Sequence, residues 1–297
     1  MSITPESPKR WSFPKRAFYQ LLTPIFPRIM HRLFRFQVID RENAERFPEG
    51  RGVIFCINHQ SHLDGPIILS TIITPFGNRK FLGFIVSGKV MEEHFLFGLL
   101  KLVGAIPIYR NNPTPTLNYV SQSLKEGIAI LITPQGRRVH RTPFHDYFSL
   151  AEEGRTGVGR IILRTNGEIP VVPVYIRGTA EVLSPGAIKP RFGSYISISF
   201  GEPLYFHQYS RKNGSWSESD PDYYLNARKI TDTIMNAIRD QMLEIEQPYL
   251  EYLEWKFNTG VEKITVSPRK EKEFVRFLRR LARVPPTQIK EYLDLKG

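Results

Sequence analysis

Short apolar runs alternate with longer segments of helical periodicity along most of the chain. Short runs rich in β-branched and aromatic side chains predict buried strands at 52–57, 81–87, 105–109, 128–133 and 169–176, with a strand buried on one face at 194–200. Apolar positions at helical spacing predict helices over 63–73, 90–103, 116–127, 156–167 and 223–246. This alternation predicts an α/β domain with a central, mainly parallel or mixed sheet flanked by helices.

Changes in composition along the chain predict three parts. Residues 1–41 form a basic, aromatic N-terminal segment, residues 42–247 the α/β domain and residues 248–297 a basic helical extension. Within the domain, residues 209–222 are polar and contain Gly, Ser and Pro, which predicts a loop. In the extension, residues 270–284 have an apolar helical face surrounded by Arg and Lys.

The N-terminal segment has the composition of a membrane-interfacial helical segment. Residues 9–36 contain seven Lys and Arg, no acidic residue and many interleaved aromatic and aliphatic side chains. The alternative is a helical hairpin that packs on the core with its basic side in water. Because the sequence shows neither a secretory signal nor a long uninterrupted apolar stretch, we expect peripheral or monotopic membrane association, on the cytoplasmic face.

The net charge limits the classes of binding partner to expect, and the cysteine content indicates the redox state of the protein's compartment. The net charge is +12 with a pI near 9.7, which indicates an anionic partner such as an anionic membrane surface or a phosphorylated substrate. The basic residues follow no nucleic-acid-binding motif, so we expect no nucleic acid partner. The single Cys56, in an apolar run, forms no internal disulfide and favours a reducing compartment.

The stretch "NHQSHLD" follows the first buried strand and contains a candidate acid–base pair. If the chain turns into a helix here, the side chains of His59 and Asp64 come into contact. A carboxylate bonded to one imidazole nitrogen fixes the tautomer and raises the basicity of the other nitrogen, as suits a base for a hydroxyl proton. The spacing alone also fits a structural histidine, and it does not choose between His59 and His62.

Further polar residues follow other predicted strands. "GAIPIYR" ends with Arg110, and "TPQGRR" contains Gly136 followed by Arg137 and Arg138, while "VVPVYIRG" contains Pro173. Arginines bind phosphate with forked donors, and a glycine lets the backbone approach a ligand closely. Because strand ends in an α/β sheet converge on one crevice, these residues are candidates for a single site.

These four stretches, in this order, resemble the four motifs of the glycerolipid acyltransferase family that includes the PlsC-like 1-acyl-glycerol-3-phosphate acyltransferases. "NHQSHLD" matches the first motif and "GAIPIYR" the second, while "TPQGRR" and "VVPVYIRG" resemble the third and fourth. The resemblance covers roughly residues 17–246. It implies acyl transfer from an acyl thioester, carried by CoA or acyl carrier protein, to a lysophospholipid acceptor, most directly 1-acyl-glycerol-3-phosphate.

The resemblance also implies the roles of the site residues. His59 is expected to be the general base and Asp64 its orienting partner, with no covalent acyl-enzyme, metal or cofactor. His62 is expected to point elsewhere, and Lys89 lies near a lysine of the family. Substrate contacts are expected from Asn58, Ser61, Arg110, Gln135, Gly136, Arg137, Arg138 and Pro173, with Arg110 and Arg138 on the acceptor's phosphate.

The third motif departs from the family pattern, which is usually F-P-E-G-T-R. Gln135 replaces the usual glutamate, Thr133 the aromatic and Arg137 the threonine, so the pocket is expected to be more positive. The stretch 139–155 after it is expected to form a lid or part of the acceptor pocket. The open alternatives are another acceptor such as glycerol-3-phosphate, transacylation between phospholipids, or a non-catalytic protein that binds anionic lipid.

Overall fold

The structure is a computed structural model. It describes residues 21, 25, 27–45, 47, 51–76, 82–93, 104–138, 153–183, 190–192, 195–212, 214 and 216–257. The predictions for residues 139–152, for the helix over 270–284 and for most of the segment before residue 27 lie outside these residues.

Seven strands in the described part of the chain form one mixed sheet. They are β1 (Arg35–Ile39), β2 (Val53–Ile57), β3 (Leu82–Ser87), β4 (Ala105–Ile108), β5 (Ala129–Ile132), β6 (Val171–Arg177) and β7 (Tyr195–Phe200). Their order across the sheet is β1-β7-β6-β2-β5-β3-β4, and every neighbouring pair is parallel except β6–β7. The predicted α/β class with a mainly parallel sheet is confirmed.

The helices whose bounds the structure describes are α1 (Glu42–Glu45), α2 (Asp64–Phe76), α3 (Gly88–Glu93), α4 (Thr114–Lys125), α5 (Gly157–Arg164), α6 (Thr179–Val182) and α7 (Tyr223–Phe257), with a 3-10 turn at His207–Tyr209. Residues 27–33 are also helical. Apolar residues of α4, α5 and α7 cover one face of the sheet, and those of α1, α2 and α3 cover the other. This cover explains why β2 is an unbroken run of buried side chains rather than an alternating pattern.

Two elements differ from the sequence prediction. Residues 35–39 form strand β1 beside β7, although the prediction assigned them to the helical N-terminal segment. β1 is a short edge strand whose side chains are partly exposed, so it lacks the apolar run that marks the central strands. Helix α7 continues to Phe257, whereas the sequence predicted a helix that ends at residue 246.

A buried ion pair fixes α7 against β6. The Glu246 carboxylate accepts a hydrogen bond from the Tyr175 hydroxyl at 2.7 Å and another from Nε of Arg177 at 3.2 Å. Both charged side chains are at most 2% exposed. Removal of either one would leave the other as an uncompensated buried charge and destabilise the fold. The contact holds the C-terminal end of β6, which lies beside the loop after β2.

Candidate active site

His59 and Asp64 form a hydrogen-bonded pair in the turn between β2 and α2. Nδ1 of His59 lies 2.8 Å from Oδ2 of Asp64. The same Oδ2 accepts the backbone N–H groups of Gln60 at 2.6 Å and Ser61 at 2.8 Å. Because a carboxylate only accepts, Nδ1 carries the proton and Nε2 is left as the basic nitrogen.

Burial of the pair is uneven, as proton transfer to a substrate requires. Asp64 is 0% exposed, whereas the side chain of His59 is 23% exposed. The carboxylate is therefore held away from water while the imidazole reaches the surface. His62, the other histidine of the motif, is exposed. The geometry thus selects His59 as the partner of Asp64, as the family resemblance implies.

Asn58 holds the same turn from the other side. Its Oδ1 accepts the backbone N–H of Ile176 at 2.7 Å, and its Nδ2 donates to the carbonyl of Ile176 at 2.9 Å. The paired residues of β2 and β6 end at Ile57 and Val174, so the amide extends the pairing beyond the strand. Asn58 is 1% exposed. Because it directly precedes His59 in the chain, these two bonds fix the backbone beside His59.

Gln135 binds the backbone of His59. The N–H of His59 donates to Oε1 of Gln135 at 2.8 Å, and Gln135 is 4% exposed. The contact arises because β2 and β5 are neighbouring parallel strands, so the loops that follow them meet at one edge of the sheet. An amide oxygen accepts this bond as a carboxylate oxygen would, so Gln135, in place of the glutamate of the motif that this stretch resembles, still supplies an acceptor for the backbone N–H of His59.

The turn after β5 also contacts Arg110, which follows β4. The N–H of Gly136 donates to the carbonyl of Thr133 at 3.0 Å, and Gly136 has φ of +64°, a conformation that favours glycine. Nη2 of Arg110 lies 3.4 Å from the carbonyl oxygen of Gly136. Arg137 is exposed and Arg138 half-buried on the same turn. Two of the sequence motifs are therefore joined in space.

The other predicted substrate-binding residues lie deeper. Ser61 is 2% exposed; its hydroxyl lies 3.4 Å from the carbonyl of Leu183 and accepts the N–H of Leu63 at 3.3 Å. Pro173 is buried within β6, and its ring lies against Gly201. Direct substrate contacts of Ser61, Asn58 and Pro173 stay predictions.

Two further side chains, those of Cys56 and Arg155, lie near the site. Cys56 is fully buried, and burial raises the pKa of its thiol far above its ordinary value, which disfavours the thiolate form. Arg155 lies against Gly136, with its backbone N–H on the carbonyl of Pro134 at 2.7 Å. The sequence placed it at the end of a predicted lid or pocket segment but gave it no role, because no motif includes it.

Comparison with known proteins identifies relatives. Residues 38–177 match the family described as Acyltransferase. A chloroplastic 1-acyl-sn-glycerol-3-phosphate acyltransferase of Brassica napus is 20% identical over 64% of this chain and 52% of its own length. The 1-acyl-sn-glycerol-3-phosphate acyltransferase of Bacillus subtilis is 24% identical over 55% of this chain and 72% of its own length. Tafazzin of Saccharomyces cerevisiae is 26% identical over 59% of this chain and 57% of its own length.

The chain spans about half the length of the Brassica napus relative. Among solved structures, the 1-acyl-sn-glycerophosphate acyltransferase PlsC of Thermotoga maritima is similar, with 20% identity and a TM-score of 0.49 over 76% of this chain and 80% of that chain.

Proposed function

We propose that this chain, whose residues 38–177 match the family described as Acyltransferase, is a PlsC-like acyltransferase that moves a fatty acyl group from an acyl thioester to the free hydroxyl of 1-acyl-glycerol-3-phosphate. The donor is an acyl-CoA or an acyl carrier protein thioester. The observation that carries the proposal is the His59–Asp64 pair, in which a fully buried carboxylate binds Nδ1 at 2.8 Å and a partly exposed imidazole presents Nε2. Gln135 fixes the backbone of the same histidine.

The pair supports a single displacement at the thioester carbonyl. Nε2 of His59 takes the proton from the acceptor hydroxyl while the hydroxyl oxygen forms a bond to the carbonyl carbon. Asp64 stabilises the imidazolium and keeps its orientation. The C–S bond then breaks, and the departing thiolate receives the proton from His59. The products are a diacyl phospholipid and a free thiol, and neither an acyl-enzyme nor a metal takes part.

The basic turn at Gly136 suits the acceptor's phosphate. Arg110 reaches this turn, and Arg137 and Arg138 extend from it. Guanidinium groups present planar pairs of N–H donors that match phosphate oxygens. Gln135 connects the turn to His59 through one hydrogen bond. A phosphate bound at the turn would therefore have a fixed position relative to His59.

We further propose that the N-terminal region rests on an anionic membrane surface. Leu21, Ile25 and Ile29 are four residues apart at helical positions and are 64%, 43% and 46% exposed. This spacing puts them on one helical face, and Arg28 and Arg32 lie in the same segment. Among the helices that the structure describes, none is both long and apolar enough to cross a bilayer. The exposed apolar face, together with Arg28 and Arg32 in the same segment, is the observation that supports an interfacial contact.

The reaction is tested with purified protein and a panel of substrates. Acyl-CoA and acyl carrier protein thioester are each combined with 1-acyl-glycerol-3-phosphate, glycerol-3-phosphate and a lysophospholipid with a neutral headgroup. Free thiol is measured together with the lipid product by mass spectrometry. The proposal expects phosphatidic acid as the main product. Transfer only to glycerol-3-phosphate, or lipid binding without turnover on any thioester, would reject the proposed acceptor.

A further inference from the structure

Arg155 packs on the glycine of the basic turn. Its backbone N–H donates to the carbonyl of Pro134 at 2.7 Å. A Cβ placed on Gly136 would lie 2.5 Å from Cδ and 2.7 Å from Nε of Arg155. The arginine side chain therefore occupies the space that a side chain at position 136 would need. This contact brings a guanidinium group to the turn from the segment just before α5.

Arg110 approaches the same glycine. Its Nη2 lies 3.4 Å from the carbonyl oxygen of Gly136, and both arginines are exposed. No ion pair found in the described part of the chain involves Arg110 or Arg155. Two guanidinium groups thus approach one exposed backbone position and, among the residues described, neither is paired with a carboxylate, an arrangement that suits an external anion.

The neighbouring Gln135 adds an unpaired donor and a link to the base. Its Oε1 accepts the N–H of His59, so its Nε2 faces elsewhere; Nε2 is buried and has no partner among the residues described. A buried donor without a partner is unusual, since such groups are normally satisfied by protein, water or ligand. Three residues therefore carry donor groups on or against the turn that is bonded to His59: Arg110, Gln135 and Arg155.

We propose that Arg155, together with Arg110, binds the phosphate of the acceptor and favours a phosphomonoester over a phosphodiester. A monoester has close to two negative charges near neutral pH and three terminal oxygens. A diester has a single negative charge and two terminal oxygens. It therefore makes fewer and weaker hydrogen bonds to a pair of guanidinium groups than a monoester does. The inference rests on the proposed function, and it assigns a binding residue that lies outside the four sequence motifs.

The test separates the charge of Arg155 from its packing. Arg155→Met keeps an unbranched stem against Gly136 without the charge, and Arg155→Lys keeps the charge without the planar fork. Arg41→Met is the charge-matched control, because Arg41 lies in the turn before α1 and pairs with Glu45. Steady-state kinetics are measured with 1-acyl-glycerol-3-phosphate and with 1-acyl-glycerophosphoglycerol, at constant ionic strength.

The expected result is a split between KM and kcat. In Arg155→Met, KM for the monoester rises about tenfold to a hundredfold and kcat changes little, while KM for the diester rises only a few-fold. Arg155→Lys is intermediate, and Arg41→Met resembles the parent protein. Equal effects on both acceptors, or a fall in kcat with an unchanged KM, would overturn the proposal and leave Arg155 a structural residue.

A binding measurement separates this inference from the proposed function. Binding of 1-acyl-glycerol-3-phosphate is titrated without any donor, in the parent protein and in Arg155→Met. If the parent protein transfers acyl groups to no acceptor, the proposed function fails. Weaker binding in Arg155→Met would still support the phosphate site. Unchanged binding would overturn it, whether or not the protein is active.

Discussion

The backbone N–H of His59 donates a 2.8 Å hydrogen bond to Oε1 of Gln135. This bond joins the loop after β2 to the turn after β5, and so connects His59, the proposed base, to the basic turn. Gln135 stands where the motif that "TPQGRR" resembles usually has glutamate, and its amide oxygen accepts this bond without a charge.

Replacement of Gln135 by leucine should therefore impair catalysis. Leucine leaves the N–H of His59 without an acceptor, and an unsatisfied buried donor costs about 1–3 kcal/mol. We expect kcat to fall about tenfold to a hundredfold, as such a free-energy change permits. Gln135→Glu is the matched variant: it retains the acceptor, and kcat should stay within about fivefold of the parent value. Equal losses in both variants would show that the hydrogen bond is not what matters.

Replacement of Asp64 by asparagine tests the orientation of His59. Oδ2 of Asp64 meets only donors, namely Nδ1–H of His59 and two backbone N–H groups, so an amide nitrogen there is mismatched. General-base catalysis contributes about 10²- to 10⁴-fold, and we expect a loss of kcat in that range with little change in KM. Steady-state kinetics with saturating thioester measure this. A preserved kcat would mean that Asp64 does not orient the base.

Replacement of Gly136 by alanine should destabilise the protein. The residue has φ of +64°, and its new Cβ would collide with the side chain of Arg155. We expect a loss of about 1–2 kcal/mol in the free energy of unfolding, together with weaker acceptor binding. Gly157→Ala is the control, because a Cβ there meets nothing within 4 Å. Denaturant titrations of both variants should differ; equal stability would show that the turn tolerates a side chain.

Glu218 should stabilise the fold in a pH-dependent way. Burial acts to raise the pKa of its carboxyl, but the hydrogen bond and charge of Arg160 at 2.5 Å, with the charge of Arg164, outweigh burial and lower the pKa. A lowered folded-state pKa means that the stabilisation is present above the unfolded-state pKa and is lost as the pH falls through the folded-state value. Because Glu218 is 35% exposed, the effect is small.

The comparison of Glu218→Gln with the parent protein measures this effect. Thermal midpoints should differ at pH 7 and converge as the pH falls below the ordinary range of a glutamate carboxyl. Glu168→Gln serves as the control, since Glu168 is an exposed carboxylate elsewhere on the surface. A difference between Glu218→Gln and the parent that persists unchanged at low pH would contradict the assigned ion pair.

The sequence predicted the parts of the site that depend on short separations. His59 and Asp64 lie in one strand–turn–helix unit, so their contact follows from local structure once β2 and α2 are recognised. The central strands were equally visible, because burial on both faces makes them unbroken apolar runs. β1 was missed because a short edge strand with partly exposed side chains lacks that pattern.

Contacts between parts of the chain that are distant in sequence could not be predicted from the sequence pattern. The bonds of Asn58 to Ile176 and of His59 to Gln135 depend on the order of β6, β2 and β5 in the sheet, which periodicity does not reveal. The resemblance to the family assigned Asn58 and Gln135 to substrate; the structure shows a further partner for each within the protein, and their substrate contacts stay predictions. Arg155 had no local signal, because its contact with Gly136 arises only in the folded chain.

The most direct test of the account is acyl transfer by His59→Ala beside His62→Ala. Purified proteins receive acyl-CoA and 1-acyl-glycerol-3-phosphate, and both free thiol and phosphatidic acid are quantified. His59→Ala should lose about 10²- to 10⁴-fold or more in kcat, with an unchanged fold by circular dichroism, while His62→Ala should retain most of the activity. Thiol release and lipid product that persist at the parent rate in His59→Ala would contradict the assignment of His59 as the base.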